Sequence, residues 1–386
     1  MKKLRIISGI STVLLVTVIT CACTHIQKDH IKETENKYQH NEQFVSEDAV
    51  SQTHFTYNSN VLFDNNIMLF GYLDGYAFAE QNNEIIAFDN GGTIKYCTEL
   101  PQNSMITGVE ILNNKLAVKI TYGLTKTETY TDTERFSEIE INSTENKLLI
   151  YDEQLNLINE TELNYINDFS LLSVSPDGQK IVYTKEIADT IYIADINGNN
   201  EHILYSLNGK AGEPVIFLNL AFTDFGVVYS AKGTIKLSDF NSDMYYGVID
   251  LNGNNQYTRD DGVGSLFQRF NSGVFIPDRN VPYEQESTGI VRIINTNTFT
   301  TMSTHIKNQS QGAIISQDGK KIITQIIDWK NNSAEITVYN IQDGNIICTY
   351  KEDYINNIVW MISDGNHLLV SYNLPDNSMK TVSYAV

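Results

Sequence analysis

Short runs of alternating apolar and polar residues fill the chain from about residue 53 onward. Examples are KIVYT at 180–184, ITVYNI at 336–341 and HLLVSY at 367–372. The runs are rich in Val, Ile, Thr and Tyr and end at Asn, Asp or Gly, which is the pattern of β-strands separated by turns. No amphipathic helix is predicted among them. The pattern therefore predicts an all-β fold.

A turn residue followed by an apolar strand recurs at a nearly constant spacing. The turn residues are Asn66, Asn114, Gly178, Gly226, Gly273, Gly319 and Gly365. The successive intervals are 48, 64, 48, 47, 46 and 46 residues. Repeats of roughly 40–50 residues with four strands each are typical of propeller blades. The spacing predicts a seven-bladed β-propeller with an insertion in its second blade.

The last repeat contains only three predicted strands, near 357–363, 367–372 and 380–385. A segment before the first repeat, Thr53–Ser59, alternates like a strand and has no other partner. We expect this segment to pair with the last blade and to close the ring, because closure removes exposed strand edges.

Two turn motifs point to a known family. Ser175-Pro176-Asp177-Gly178 precedes one strand, and Asp195-Ile196-Asn197-Gly198-Asn199-Asn200 ends another. Weaker copies stand at 316–319, 363–365 and 250–255. In this respect the chain resembles TolB-like β-propellers, in which such turns join the first strand to the second and the third to the fourth. The resemblance implies a fold and no activity.

The first residues have the pattern of a secretory leader. Lys2, Lys3 and Arg5 precede an apolar run at 6–19, which predicts a signal peptide over 1–22. The sequence Thr20-Cys21-Ala22-Cys23 resembles the lipobox of bacterial lipoproteins, which implies lipidation of Cys23. Two acyl chains would anchor the protein stably on the extracytoplasmic side of the cell membrane. Cys21 as the acceptor, plain secretion and an uncleaved anchor are the alternatives.

Composition limits the remaining choices. Residues 23–52 are polar and without periodicity, which predicts a flexible tether before a propeller at 53–386. The chain has 47 acidic and 27 basic residues and a formal net charge of −20, so we expect no nucleic-acid partner. Cys97 and Cys348 are predicted to be buried unpaired thiols, with a disulfide as the alternative. We also expect a monomer.

Candidate ligand-binding residues lie in the predicted connections between the second and third strands of blades, called b–c connections. The predicted connections are 122–146, 232–245, 277–289 and 328–333. Their aromatic and arginine side chains can bury a large area at a modest entropic cost. The candidates are Tyr130, Arg135, Phe136, Arg279, Tyr283 and Trp329. The alternative is that these side chains pack on their own blades.

Three functions are compatible with this sequence. The first is a binding module for a protein, peptide or envelope glycan, with the membrane contacted only through the lipid. The second is an envelope-polymer hydrolase or lyase that uses carboxylates near the central channel. The third is a structural component of an envelope complex, as the TolB-like resemblance implies. No nucleophile elbow, HExxH motif or phosphate loop is present, so we predict no catalytic residues, metal or cofactor.

Overall fold

The described part of the chain consists of β-strands and their turns. The computed structural model describes residues 3–7, 60–63, 66–130, 135–163, 170–185, 189–207, 215–233, 244–259, 268–270, 273–277, 288–295, 300–307 and 312–386. Within these ranges the chain forms 29 strands in seven antiparallel sheets, which we number in chain order. An all-β fold with six four-stranded sheets and one five-stranded sheet is found in the described residues, which confirms the predicted fold class.

The strands are as follows. Two strands precede sheet 1: β1 (Lys3–Ile7) and β2 (Asn60–Phe63). Sheet 1 contains β3 (Met68–Leu73), β4 (Tyr76–Gln81), β5 (Glu84–Phe88) and β6 (Ile94–Glu99). Sheet 2 contains β7 (Ser104–Ile111), β8 (Leu116–Tyr130), β9 (Arg135–Tyr151) and β10 (Leu157–Glu162), with β1 paired to β9. Sheet 3 contains β11 (Leu172–Val174), β12 (Lys180–Thr184), β13 (Thr190–Asp195) and β14 (His202–Ser206). Sheet 4 contains β15 (Val215–Thr223), β16 (Gly226–Gly233), β17 (Met244–Ile249) and β18 (Asn255–Arg259).

The remaining strands form three further sheets. Sheet 5 contains β19 (Gln268–Phe270), β20 (Gly273–Pro277), β21 (Thr288–Asn295) and β22 (Thr300–Lys307). Sheet 6 contains β23 (Gly312–Ile315), β24 (Lys321–Asp328), β25 (Ser333–Asn340) and β26 (Ile346–Asp353). Sheet 7 contains β27 (Asn357–Ser363), β28 (His367–Asn373) and β29 (Met379–Ala385). Its order is β2-β29-β28-β27, so its fourth strand comes from the beginning of the chain.

The three strands predicted in the last repeat are confirmed with nearly the same bounds. The strand that joins them is β2, in which Asn60 lies opposite Ser383 and Val61 opposite Val382. The segment predicted for this position, 53–59, lies outside the described residues.

One repeat position was wrongly assigned. Asn66 precedes β3, the first strand of its sheet, whereas the other six turn residues precede second strands. The matching residue in sheet 1 is Gly75, which is 39 positions before Asn114. The error has a physical cause: first and second strands are both apolar runs after a turn, so the sequence pattern alone does not separate them.

The predicted long connection 122–146 is also different in the structure. It is a continuation of β8 and β9, which remain paired to the position where Tyr130 lies opposite Arg135. The insertion in the second repeat therefore lengthens a β-hairpin instead of forming a loop.

Side-chain hydrogen bonds define the turn at 175–178. Ser175 Oγ donates to Asp177 Oδ1 at 2.6 Å and accepts from the Lys180 N–H at 2.8 Å. The Gln179 N–H donates to Asp177 Oδ1 at 2.9 Å, and Gly178 adopts a φ of +73°. The Ser175 hydroxyl is the main reason why the pKa of Asp177 lies below 3.8. Ser316 and Asp318 make the equivalent contact at 2.6 Å in sheet 6.

A second kind of turn joins the third strand to the fourth. Asp250 Oδ1 accepts a hydrogen bond from the Asn254 N–H, four residues later, at 2.9 Å. Asp89 and Asp152 accept bonds from the same relative position at 2.9 and 2.8 Å. The turns at Asp89 and Asp152 lack the full motif seen at 195–200, but their carboxylates accept the same backbone hydrogen bond.

Adjacent sheets pack face to face through apolar side chains. Strand β12 shows the reason for its unbroken apolar run: Ile181 and Tyr183 face sheet 2, whereas Val182 faces sheet 4. Apolar clusters join sheets 1 and 2, 2 and 3, 3 and 4, 6 and 7, and 7 and 1. Sheets 5 and 6 are joined by Gln268, whose amide bonds the backbone N–H and C=O of Ile315 at 2.8 Å each. In the described residues there is no helix long and apolar enough to span a membrane.

Candidate functional site

Two exposed aromatic side chains lie at one end of sheet 6. In a four-stranded antiparallel sheet, the b–c turn and the connection to the next sheet are at the same end. Trp329 lies in the b–c turn between β24 and β25, and its exposed fraction is 53%. Tyr354 lies in the connection from β26 to β27, and its exposed fraction is 59%. Both side chains are large and apolar, and both face solvent.

The turn that carries Trp329 is held by Asp328. Its Oδ1 accepts hydrogen bonds from the backbone N–H groups of Lys330 at 3.0 Å and Asn331 at 3.2 Å. Its Oδ2 accepts from Asn331 Nδ2 at 2.6 Å. This side-chain bond, followed by the backbone bond, lowers the pKa of Asp328 below 3.8. The carboxylate therefore remains ionised at neutral pH and fixes the turn.

The connection that carries Tyr354 is fixed to the same turn. The Ile355 N–H donates to the Asn332 carbonyl at 2.7 Å, and the Ile355 side chain is fully buried between sheets 6 and 7. Asn332 and Tyr354 have φ values of +49° and +60°. The second value is unusual for a bulky residue and costs on the order of 1–2 kcal/mol of backbone strain. Contacts of the neighbouring Ile355 must therefore hold this strained backbone in place, while the Tyr354 side chain stays exposed.

Exposed asparagines lie in the same two connections as the two rings. We define the aromatic patch as Trp329, Asn331, Asn332, Tyr354 and Asn356, all of which are exposed. The Asn356 N–H donates to the Asn373 carbonyl of β28 at 2.8 Å, so this side of the patch is also anchored. The nearby charges are of both signs: Asp328, Lys330 and Asp353. The patch is therefore a fixed surface of aromatic rings and neutral hydrogen-bonding groups.

A separate cavity of about 260 Å³ lies where the first strands of five sheets meet, β3, β7, β15, β19 and β27, beside the turn that follows β23. It is lined by Phe70, Gly71, Tyr72, Val109, Glu110, Ile111, Asn219, Leu220, Ala221, Gln268, Gln317, Ile362 and Ser363. Glu110 is the carboxylate in this lining. Its oxygens accept hydrogen bonds from Ser173 Oγ and the Val174 N–H, both at 2.6 Å. These bonds join β7 to β11, which is a structural role.

The structure brings few of the predicted site residues together. Trp329 is exposed in a b–c turn, as expected. Tyr130 and Arg135 are backbone partners in the pairing of β8 with β9, and Phe136 is the next residue of β9. The side chains of these three residues are not among the described ones. Arg279, Tyr283 and Cys23 lie outside the described residues. None of them is shown to share a site with Trp329.

Sequence reasoning missed Tyr354 because it concentrated on b–c turns. Tyr354 stands in the run Asp353-Tyr354-Ile355-Asn356-Asn357, a turn signal directly after an outer strand. In the predicted topology, the connection between two blades already lies at the same end as the b–c turns. A search for aromatic residues in such connections would have found it.

The two cysteines outside the N-terminal segment differ. Cys97 lies in β6, the outermost strand of sheet 1, and is exposed, so its predicted burial was wrong. Cys348 is buried between sheets 6 and 7, and burial raises the pKa of its thiol. Both thiols are free.

No protein-family model matches the chain, and no curated protein matches it. Solved structures do match. A structure from a study of two prolyl endopeptidases has a TM-score of 0.54 and 9% identity, over 84% of this chain and 47% of that one. The β-propeller domain of the Trilobed protease from Pyrococcus furiosus, which has an open velcro topology, gives 0.45 and 11% over 74% and 83%. The Pyrococcus horikoshii acylaminoacyl peptidase gives 0.44 and 12% over 70% and 43%.

These likenesses concern the fold alone. The chain spans less than half the length of the prolyl endopeptidase and of the acylaminoacyl peptidase. At 9% identity, the match to the prolyl endopeptidase carries no information about activity. Together with the succession of four-stranded sheets packed face to face, it shows that this chain has a β-propeller fold. The TolB-like relationship and the lipid anchor stay predictions.

Proposed function

We propose that this chain is a lipid-anchored, extracytoplasmic binding module. Its ligand is a protein, a peptide or an envelope glycan, bound at the end of the propeller where the b–c turns lie. The observation that carries the proposal is the aromatic patch, in which Trp329 and Tyr354 are exposed on turns fixed by hydrogen bonds. Trp and Tyr are among the residue types enriched in the hot spots that dominate binding energy.

In this proposal the seven sheets are blades of a ring that β2 closes on β29. Three observations support it. Sheets 7 and 1 pack against each other, as consecutive sheets do elsewhere. The first strands of five sheets line one cavity, as strands around an axis would. The pairing of β2 with β29 gives the last sheet a fourth strand. Such a ring would hold every b–c turn at one end as a common binding surface.

The anchor is proposed from the sequence. A lipid on Cys23 would place the module outside the membrane on a tether of about 30 residues, a flexible length. We expect the full chain, expressed in bacteria fed radiolabelled palmitate, to carry label. Cys23→Ser should remove the label, whereas Cys21→Ser should retain it. If Cys21→Ser loses the label and Cys23→Ser keeps it, the acceptor is Cys21. If the unaltered chain carries no label, the proposed anchor is wrong.

The binding surface can be tested with a photo-crosslinking amino acid placed at position 329 of the full chain on intact cells. We expect adducts from position 329, because its side chain faces solvent on the proposed binding end. Position 225 is the matched control: Phe225 is also an exposed aromatic, at 44%, but lies in a turn between first and second strands at the opposite end of its sheet.

Equal adducts from both positions would mean that position 329 meets its partners by random collision. Adducts from position 225 alone would place the binding surface at the other end. Tyr354→Ala in the chain that carries the crosslinker should reduce the adduct several-fold, because it removes half of the aromatic area of the patch.

Two other functions are compatible with the sequence. A hydrolase or lyase would use carboxylates near the central channel. Among the described lining residues, Glu110 is committed to hydrogen bonds that join two sheets, so the geometry does not favour this function. An assembly component of an envelope complex is compatible with the same fold, but no contact in the described residues favours it over ligand binding.

A further inference from the structure

We propose that the aromatic patch binds a neutral oligosaccharide. This inference rests on the proposed binding function and names the chemical class of the ligand. It depends on the aromatic rings and amides of the patch, on its small apolar area and on its lack of excess positive charge.

The chemistry of the patch matches that of a sugar chain. A pyranose ring presents apolar C–H faces, and its edge carries hydroxyl groups that both donate and accept. Trp329 and Tyr354 supply two exposed aromatic faces. The side chains of Asn332 and Asn356 supply amides, each with donors and an acceptor on one planar group, whereas the Asn331 amide already donates to Asp328. Stacking and mixed hydrogen bonding are therefore available on the same surface.

The size of the apolar area argues against a folded protein partner. Stable protein interfaces bury about 800 Å² on each side around an apolar centre. At this end of sheet 6, the exposed large apolar side chains among the described residues are Trp329 and Tyr354. Both face solvent, whereas hot-spot residues of protein interfaces usually lie in well-packed, desolvated pockets. A narrow, flat ligand fits two rings better than a second protein surface does.

Charge restricts the ligand further. The chain has a formal net charge of −20, which disfavours the approach of an acidic polymer. Asp328 is engaged in holding its turn. The charged sequence neighbours of the two rings include the cation Lys330 and the further anion Asp353, so these neighbours give no excess of positive charge. An uncharged oligosaccharide therefore meets the least electrostatic opposition.

The chain contains two tryptophans, which permits a direct test. In the full-length Trp360→Phe variant, Trp329 is the remaining tryptophan and reports on the patch. We expect soluble hexamers of β-1,4-linked N-acetylglucosamine or glucose, or of α-1,4-linked glucose, to shield Trp329 from acrylamide quenching. Binding should occur at about micromolar to millimolar concentrations, the range expected for a small exposed site. Calorimetric titration of the unaltered chain checks that Trp360→Phe has not changed the affinity.

Substitutions then separate stacking from general polarity. Tyr354→Ala should weaken binding at least tenfold, Tyr354→Phe should change it little, and Phe225→Ala at the other end should have no effect. Absence of shielding by all three hexamers at about 10 mM would overturn the inference, because the dissociation constants would then lie above the expected range. Tighter binding of polygalacturonate than of the neutral hexamers would also overturn it.

The outcome is distinguishable from a failure of the proposed function. If the photo-crosslinker at position 329 captures a peptide or protein while no sugar shields Trp329, the binding function stands and the sugar inference falls. If neither experiment gives a signal, both fall.

Discussion

Gly226→Ala is expected to lower the free energy of unfolding by about 3 kcal/mol, the upper part of the range for forcing atoms into a packed site. A Cβ at this position would lie 2.0 Å from the Ile249 carbonyl oxygen and 3.1 Å from the Asp250 Cα. Both atoms are backbone of the neighbouring strand and its turn, so they cannot rotate away as the end of a side chain could. Relief requires that β16 and β17 separate, in a sheet whose Val227 and Val228 are fully buried.

Gly75→Ala is the matched control. Gly75 also follows the first strand of its sheet and has a φ of +80°, but no atom lies within 4 Å of the added Cβ. Its cost should be limited to backbone strain of about 1 kcal/mol. Urea titration of the two variants, followed by circular dichroism, measures the difference. Equal costs would show that β16 does not approach β17 as closely as the structure places them.

Removal of β2 is expected to have the second large effect. A chain that starts at residue 65 should be less stable by about 3 kcal/mol than one that starts at residue 60, from the burial of two large apolar side chains. The Phe63 ring packs against the Phe88 ring with centroids 4.9 Å apart, and Leu62 packs on the same apolar cluster. Without β2 the edge of β29 would be exposed, and such an edge promotes aggregation.

Truncated chains also test the proposed closure of the ring. If the chain that starts at residue 60 is as stable as one that starts at residue 53, then 60–63 is sufficient for closure. If it has already lost the stability, the predicted segment 53–59 contributes to the pairing. If even the shorter chain, which starts at residue 65, keeps the full stability, closure by β2 is wrong. Thermal unfolding and sedimentation velocity distinguish loss of stability from aggregation.

The local features of the fold could be predicted because their causes are local. A turn such as 175–178 is made by the hydroxyl and carboxylate of its own residues, and these are visible in the sequence. The bounds of β27–β29 followed from apolar runs between turn residues. The position of Cys97 could not be predicted in this way. Inner and outer strands both alternate, but only the tertiary arrangement shows that β6 is outermost and that its cysteine is exposed.

The candidate site was predicted in part for the same reason. Trp329 lies in a turn that the sequence indicates, because Asp328 precedes it and two asparagines follow. Tyr354 joins it through a hydrogen bond between Asn332 and Ile355, which are in different connections. No local sequence pattern predicts that bond. It forms because the outer strand β26 ends beside the start of β25, where Ser333 lies opposite Asp353.

The sequence by itself determined the strand content, the repeating turns and one aromatic residue of the patch, since each depends on interactions between residues close along the chain. The tertiary structure decided which strands are outermost, which early segment joins the last sheet, and that two exposed rings share one end of sheet 6. Those outcomes depend on contacts between residues far apart in sequence. Their free energy comes from burying one sheet against the next, so no single segment contains the information.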